Sequence, residues 1–486
     1  MYRARLSRRW RAGCCAAVML CAFLHYAACA HAKPAASVQR IGGKGSYAVV
    51  VCAETYADRE WRQVVEALRE KHHAAVIVYP HSVWEARAAL IEVFPGHVCF
   101  VARPDDATRR FVVDVHRLTR TWDGDPYTDA IWGILTGYDA GDALRIARHK
   151  APLVVRKAAG GTGIDLEVFE AGAWYSESAR GVMYQKTPGG KTQKKTCPPD
   201  STQALVDTLS GFQPDVFVTS GHATTRDWQI GYSYKNGQFR CRGGQLGGVD
   251  LKGKWHPIHS PNPKVYLPVG NCLIGQIPDR DCMALAFLRT GGVHQMIGYT
   301  VSTWYGYGGW GVRDLFFGQP GRFSLAEAFY LNNQALIHRL QTEFSQTAGV
   351  NFERYNLEQD RRLMAWLARK HGLRSRDQMG LLWDRDVVAF YGDPAWDARL
   401  AKREPAWQQA FALKGDQITF RITTRRKGKW PSRPVMALLP HRVKDIKITE
   451  GADLKPLVTD NFILVPLRGE FEKAKTFKVV FGAGKV

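Results

Sequence analysis

From Tyr47 onward, short apolar runs alternate with segments of helical periodicity, and a sheet of mainly parallel strands covered by helices is the architecture that fits this order. Strands are expected at 47–52, 74–79 and 98–102, with amphipathic helices at 58–71 and 83–93 between them. A Gly-rich break at Ala159-Gly160-Gly161-Thr162-Gly163 separates an N-terminal α/β subdomain, 45–160, from a second one, 161–405. In the second, strands are expected at 164–173 and 293–299 and helices at 202–210 and 283–288, with a helix-rich portion at 325–370. Lys235-Asn236-Gly237 between two β-type runs, 232–234 and 238–241, predicts a hairpin. From about residue 411 the pattern changes to alternating runs at 417–423, 435–439, 446–449, 462–467 and 477–481 with no helix. That predicts a small all-β sandwich of immunoglobulin-like type over 411–486.

The first 32 residues read as a secretory signal peptide: Arg3, Arg5, Arg8, Arg9 and Arg11 precede an apolar stretch that ends in small residues. The expected location is therefore the exterior, the periplasm or the cell surface, with no membrane span once the signal is removed. Tyr26-Ala27-Ala28-Cys29 has the outline of a lipid-acylation site, but Tyr26 stands where an aliphatic residue is usual, so anchoring at Cys29 is not expected. The formal charge is +22, and without the five signal arginines +17 (22 − 5), spread along the chain with no nucleic-acid recognition motif. Six cysteines lie beyond the signal; Cys197 and Cys241, in polar loops, are the expected disulfide if one forms.

Two apolar runs stop at residues capable of catalysis. Val216-Phe217-Val218-Thr219 leads through Ser220-Gly221 to His222, and Val265-Tyr266-Leu267-Pro268 leads through Val269-Gly270-Asn271 to Cys272. Reacting groups in open α/β sheets collect at the carboxyl ends of strands. The separation of 50 positions (272 − 222) leaves room for a crossover to a neighbouring parallel strand, which would put both on one rim. An imidazole beside a thiol suffices for acyl transfer. Each residue alone is as readily an ordinary packed side chain; it is the pair that points to catalysis.

Trp122-Asp123-Gly124-Asp125-Pro126-Tyr127-Thr128-Asp129 places three carboxylates, Asp123, Asp125 and Asp129, where they could hold a structural calcium; a solvated acidic turn is the plainer reading. No cofactor is otherwise required. His256-Pro257-Ile258-His259 has short zinc-ligand spacing, but Pro257 argues against a ligand helix. Thr303 to Gly311, aromatic and Gly-rich just past a strand end, is expected to be a loop forming a substrate wall.

Three segments resemble the gingipain-type family of secreted cysteine peptidases, which share a caspase-like fold with caspases and legumains. They are Gly221-His222-Ala223-Thr224 with Trp228 beyond it, Asn271-Cys272-Leu273-Ile274-Gly275 with Thr290-Gly291-Gly292-Val293 after the next helix, and Tyr391-Gly392-Asp393-Pro394-Ala395. Tyr127-Thr128-Asp129 is a weaker fourth. The resemblance implies a caspase-like parallel sheet flanked by helices in two subdomains, with Cys272 as nucleophile and His222 as general base and then acid. It also implies an oxyanion hole from the backbone N–H groups of Cys272 and Ala223, where the family has glycine in place of Ala223. A carboxylate orienting His222 is expected to be Glu177, with Asp227 as the competitor, and Ser302, Thr303 and Trp304 are placed like the strand lining the substrate pocket. With only a few residues between the signal and the first strand, the folded inhibitory prodomain seen in some relatives is not expected. The function implied is endopeptidase hydrolysis of a polypeptide through a thioester acyl-enzyme. The alternative is a catalytically silent surface or binding protein that keeps the fold.

Overall fold

The computed structural model describes residues 38–41, 46–351 and 361–485; the expected signal peptide and Cys29 lie outside them. The strand Tyr47–Cys52 is apolar and almost wholly buried, as befits a central strand covered on both faces. The helix Arg59–His72 follows, and the Asp58 carboxylate caps it by accepting from the backbone N–H groups of Glu60 and Trp61. Its Trp61, Val64, Val65 and Leu68 form a stripe at helical spacing that packs into the core.

One sheet of 13 strands runs through the α/β part. Ala75–Tyr79, Tyr47–Cys52, His97–Val101, Ile131–Leu135 and Val388–Gly392 are mutually parallel neighbours in that order. Val293–Tyr299, Lys264–Pro268, Val216–Thr219, Lys157–Gly160 and Ala171–Tyr175 make a second parallel block. The blocks join where Val388–Gly392 pairs antiparallel with Val293–Tyr299. The Gly-rich stretch is therefore not a spacer: Lys157–Gly160 lies inside the second block, and the chain returns near residue 388 to complete the first. Among the described residues no helix is long and apolar enough to cross a membrane.

The hairpin expected at Asn236-Gly237 forms elsewhere. Strand Gln238–Arg242 pairs with Gln245–Val249 through Gly243 and Gly244, both at positive φ, which is the backbone a two-residue hairpin needs. The Asn236 amide oxygen instead accepts from the N–H groups of Ser201 and Gly237. The expected Cys197–Cys241 disulfide is absent, as none of the six described cysteines is bridged. The Cys241 thiol instead lies against the carbonyls of Arg226 and Asp281.

The tail forms a four-stranded antiparallel sheet, Trp407–Lys414, Gln417–Thr424, Thr476–Lys485 and Val443–Glu450, facing a three-stranded one, Val435–Leu438, Phe462–Val465 and Leu457–Val458. Phe420, Val435, Ile463 and Phe481 share the core between them. Met436, Phe462 and Leu464, one residue out of phase, pack into the core of the α/β part. Both faces of the smaller sheet are thus covered, which explains the unbroken apolar runs Val-Met-Ala-Leu and Phe-Ile-Leu-Val.

Candidate active site

Val216–Thr219 and Lys264–Pro268 are adjacent parallel strands with Thr219 opposite Pro268, so the loops carrying His222 and Cys272 leave the same edge of the sheet side by side. Asn271 fastens them together. It is fully buried; its side-chain oxygen accepts from the Thr219 hydroxyl at 2.6 Å and its amide donates to the Gly221 carbonyl at 3.1 Å. The residue before the thiol therefore holds the residue before the imidazole. Thr219 also meets the Tyr266 hydroxyl at 2.9 Å, which satisfies the buried polar cluster beneath both loops.

The turn after the nucleophile candidate is latched to a third strand end. Leu273 N–H donates to the Val301 carbonyl and Gly275 N–H to Tyr299, beyond and at the end of Val293–Tyr299. Gly275 lies flat on Gly298; a Cβ there would come within 2.3 Å of the Gly298 carbonyl oxygen. Leu273 takes φ of 60°, a left-handed conformation that costs an L-residue about 1–2 kcal/mol. Strain of this kind persists where surrounding bonds over-determine it, and the two backbone bonds do so here.

Of the three residues Ser302, Thr303 and Trp304, Thr303 meets Cys272. Thr303 N–H points at the Cys272 sulfur at 3.2 Å, and the Thr303 hydroxyl donates to the Asn271 carbonyl at 3.1 Å. The Ser302 carbonyl accepts from Trp383, and Trp304 is half-buried. The expected loop 303–311 is only partly a loop, since Tyr307–Gly318 is a helix. Gly309 lets its first turn press on the backbone of Val269.

His222 is exposed and its ring stacks on Tyr232, centroids 4.9 Å apart. Among the described residues no carboxylate hydrogen-bonds that ring. Glu177 accepts instead from the Thr162 hydroxyl at 2.8 Å, and Thr162 accepts from Ser220. The Glu177 backbone carbonyl does bind the N–H groups of Tyr232 and Ser233, at 2.6 and 2.9 Å, so Glu177 bears on the imidazole through the Tyr232 ring. Asp227 lies in the short strand Asp227–Gln229, its carbonyl accepting from Thr224 N–H. The roles of Tyr232, Asn271 and Thr219 rest on contacts between residues distant in sequence, and the local signal for them is only that Thr219 and Asn271 stand at the ends of two apolar runs.

At Ala223 the backbone answers the glycine question. Ala223 opposes Trp228 in an antiparallel bridge whose bonds run from Gln229 N–H to His222 O and from Thr224 N–H to Asp227 O. Ala223 is the non-bonded member of that ladder, which leaves its N–H outside it. Positive φ is needed one step earlier than His222, at Gly221, where φ is 92°. Ala223→Gly is accordingly expected to leave kcat/KM within about twofold, since no strain is there to relieve, whereas Gly221→Ala is expected to destabilise by more than about 1 kcal/mol and to displace His222. Urea unfolding together with peptide turnover checks both; a clear gain for Ala223→Gly would mean that the backbone there is strained after all.

The acidic turn is partly regrouped. Asp123 and Asp125 converge with Asp460 of the sandwich, ligand oxygens within 4.8 Å of one another, a span that suits a hard cation. Asp129 is turned inward to accept from Trp122 N–H at 3.0 Å, and burial pushes it up to about 8; burial likewise raises Asp125 to about 6. His256 pairs with Asp250 at 2.9 Å while His259 is exposed, and the two are not part of any metal-ligating group among the described residues.

No family model matches the chain, and no curated protein sequence matches it. Among the solved structures that resemble this chain in fold are the following two. One is the complex of the pro- and mature domains of RgpB from Porphyromonas gingivalis, 10% identical, covering 90% of this chain and 99% of that one with a TM-score of 0.42. The other is described as the structure of a protease, 9% identical, covering 90% of this chain and 97% of that one with a TM-score of 0.39.

Proposed function

We propose that this chain is a cysteine endopeptidase whose nucleophile is Cys272 and whose general base is His222. The observation that carries this reading is the shared rim: two adjacent parallel strands end in loops tied by the Asn271 to Gly221 bond, with the Thr303 N–H aimed at the Cys272 sulfur. An N–H pointing at sulfur stabilises the thiolate, the form that attacks. His222 takes the thiol proton, the sulfur adds to the scissile carbonyl carbon, and the carbonyl electrons move to its oxygen. That oxyanion is received by the N–H groups of Ala223 and Cys272. Collapse of the adduct breaks the C–N bond, and His222 returns the proton to the departing amine. Water, deprotonated by His222, then hydrolyses the thioester.

The half-exposed loop from Ser302 to Tyr305 forms one wall for the peptide. Export by the N-terminal signal and, with Asp460 replacing Asp129, a structural cation at Asp123 and Asp125 belong to the same reading. An acyloxymethyl-ketone peptide should label the protein at Cys272 alone, read by mass spectrometry of the digested adduct. Labelling spread over several cysteines, or none at Cys272, would replace this reading with that of a binding protein.

A further inference from the structure

A groove of about 1120 Å³ lies where the helix Leu325–Glu343 of the α/β part meets the sandwich. Five cations line it, Arg339, Lys429, Arg433, Lys455 and Arg468, against one carboxylate, Glu343. Glu343 and Asp377 bind Arg339, and Glu343 is 4.0 Å from Arg468. Lys429 and Lys455 are exposed and enter no ion pair among the described residues. Arg433 is 9% exposed and already engaged: its Nε pairs with Asp314 at 3.8 Å, outside the groove lining, and another of its nitrogens donates to the Tyr307 carbonyl at 3.5 Å. The uncompensated charge of the groove therefore lies on Lys429 and Lys455, with the 85% exposed Arg468 beside them, an arrangement that favours an anionic partner.

From the groove a series of ring contacts leads toward Cys272. Arg433 lies over the Tyr307 ring at 3.6 Å, and Tyr307 is parallel to Tyr305, centroids 6.5 Å apart. Tyr305 in turn touches the Trp304 ring at 5.9 Å and accepts from Arg339 at its hydroxyl. Thr303, which contacts the Cys272 sulfur, is four residues from Tyr307, at most about 14 Å of chain. An extended peptide seated at Cys272 could lie along these rings and reach the cations.

We propose that this groove binds an acidic segment of the polypeptide substrate, remote from the bond that is cut. The substrate role rests on the peptidase reading; the groove's affinity for an acidic peptide does not. The binding arm therefore uses the full chain carrying Cys272→Ala and a fluorescein-labelled hexaglutamate, read by anisotropy. Binding should weaken about tenfold in Lys429→Glu/Lys455→Glu and fall as salt rises above ~0.1 M, while Lys444→Glu/Lys447→Glu, an equal charge change on an exposed sandwich strand, should leave it nearly unchanged. Equal loss in both variants, or binding of a sulfated polysaccharide but not of hexaglutamate, overturns the proposal.

The cleavage arm compares one peptide with an acidic or a neutral extension. In the groove variant KM should rise about tenfold for the acidic one only, with kcat unchanged. A parallel change for both peptides overturns the substrate role. If no peptide is cleaved at all, the peptidase reading has failed and the binding arm still decides whether the groove takes an acidic chain.

Discussion

Cys272→Ala is expected to abolish peptide hydrolysis, by about 10⁴-fold or more in kcat, and His222→Ala to do the same, with the fold intact in both. The double variant should be scarcely worse than either, because groups that act as one unit give strongly non-additive losses. Cys272 is half-buried and His222 exposed, so neither truncation opens a cavity large enough to unfold the chain. Steady-state kinetics with circular dichroism of each variant checks this. The rate of alkylation at Cys272 across pH should also change when His222 is replaced. Identical profiles in the two proteins, or turnover retained by a folded Cys272→Ala chain, would falsify the assigned pair.

Asp393→Asn is expected to cost about 3–5 kcal/mol of stability, because it leaves buried donors and cations facing a neutral group. Asp393 sits with no exposed side-chain surface at the end of Val388–Gly392. It accepts from the Tyr47 hydroxyl at 2.8 Å, Lys71 at 2.8 Å and His72 at 2.7 Å, fastening the returning strand to the first strand and to the helix Arg59–His72. Burial works against its charge, but the bond from His72 and the charge of Lys71 outweigh it and hold the carboxyl well below the usual carboxylate range. A carboxyl depressed in the folded state contributes stability above its unfolded value of about 3.9, and that contribution is lost as pH falls toward the folded value. The wild-type chain should therefore lose stability progressively below about pH 4 through this group, and Asp393→Asn should remove its share of that acid dependence. Urea midpoints from pH 3 to 7 measure both; a variant as stable as wild type at pH 7 would mean that the latch contributes little.

Much of this architecture was legible in the chain because local pattern and burial agree. Asp58 and the Trp61, Val64, Val65, Leu68 stripe mark one helix within a residue of its ends, and the strand Val293–Tyr299 is where its apolar run lies. Patterning fails where a residue's partner is remote. Asn236-Gly237 has the composition of a hairpin turn, yet the Asn236 amide is taken by Ser201, and the turn falls at Gly243-Gly244. Asp129 has the spacing of a ligand, but burial against Trp122 withdraws it, and it is Asp460, more than three hundred residues later, that joins Asp123 and Asp125 in the acidic cluster.

By itself the sequence determined the layered α/β architecture, the all-β tail and the nomination of His222 and Cys272, because apolar periodicity and the residues that end each run are local properties. Only the tertiary structure decided that the strand from residue 388 closes the first block, that Asn271 ties the two loops together, and that Glu177 meets His222 through Tyr232 rather than by its carboxylate. Those contacts join residues distant in sequence, and hydrogen-bond geometry and close approach are settled only when the sheet has brought its strand ends together.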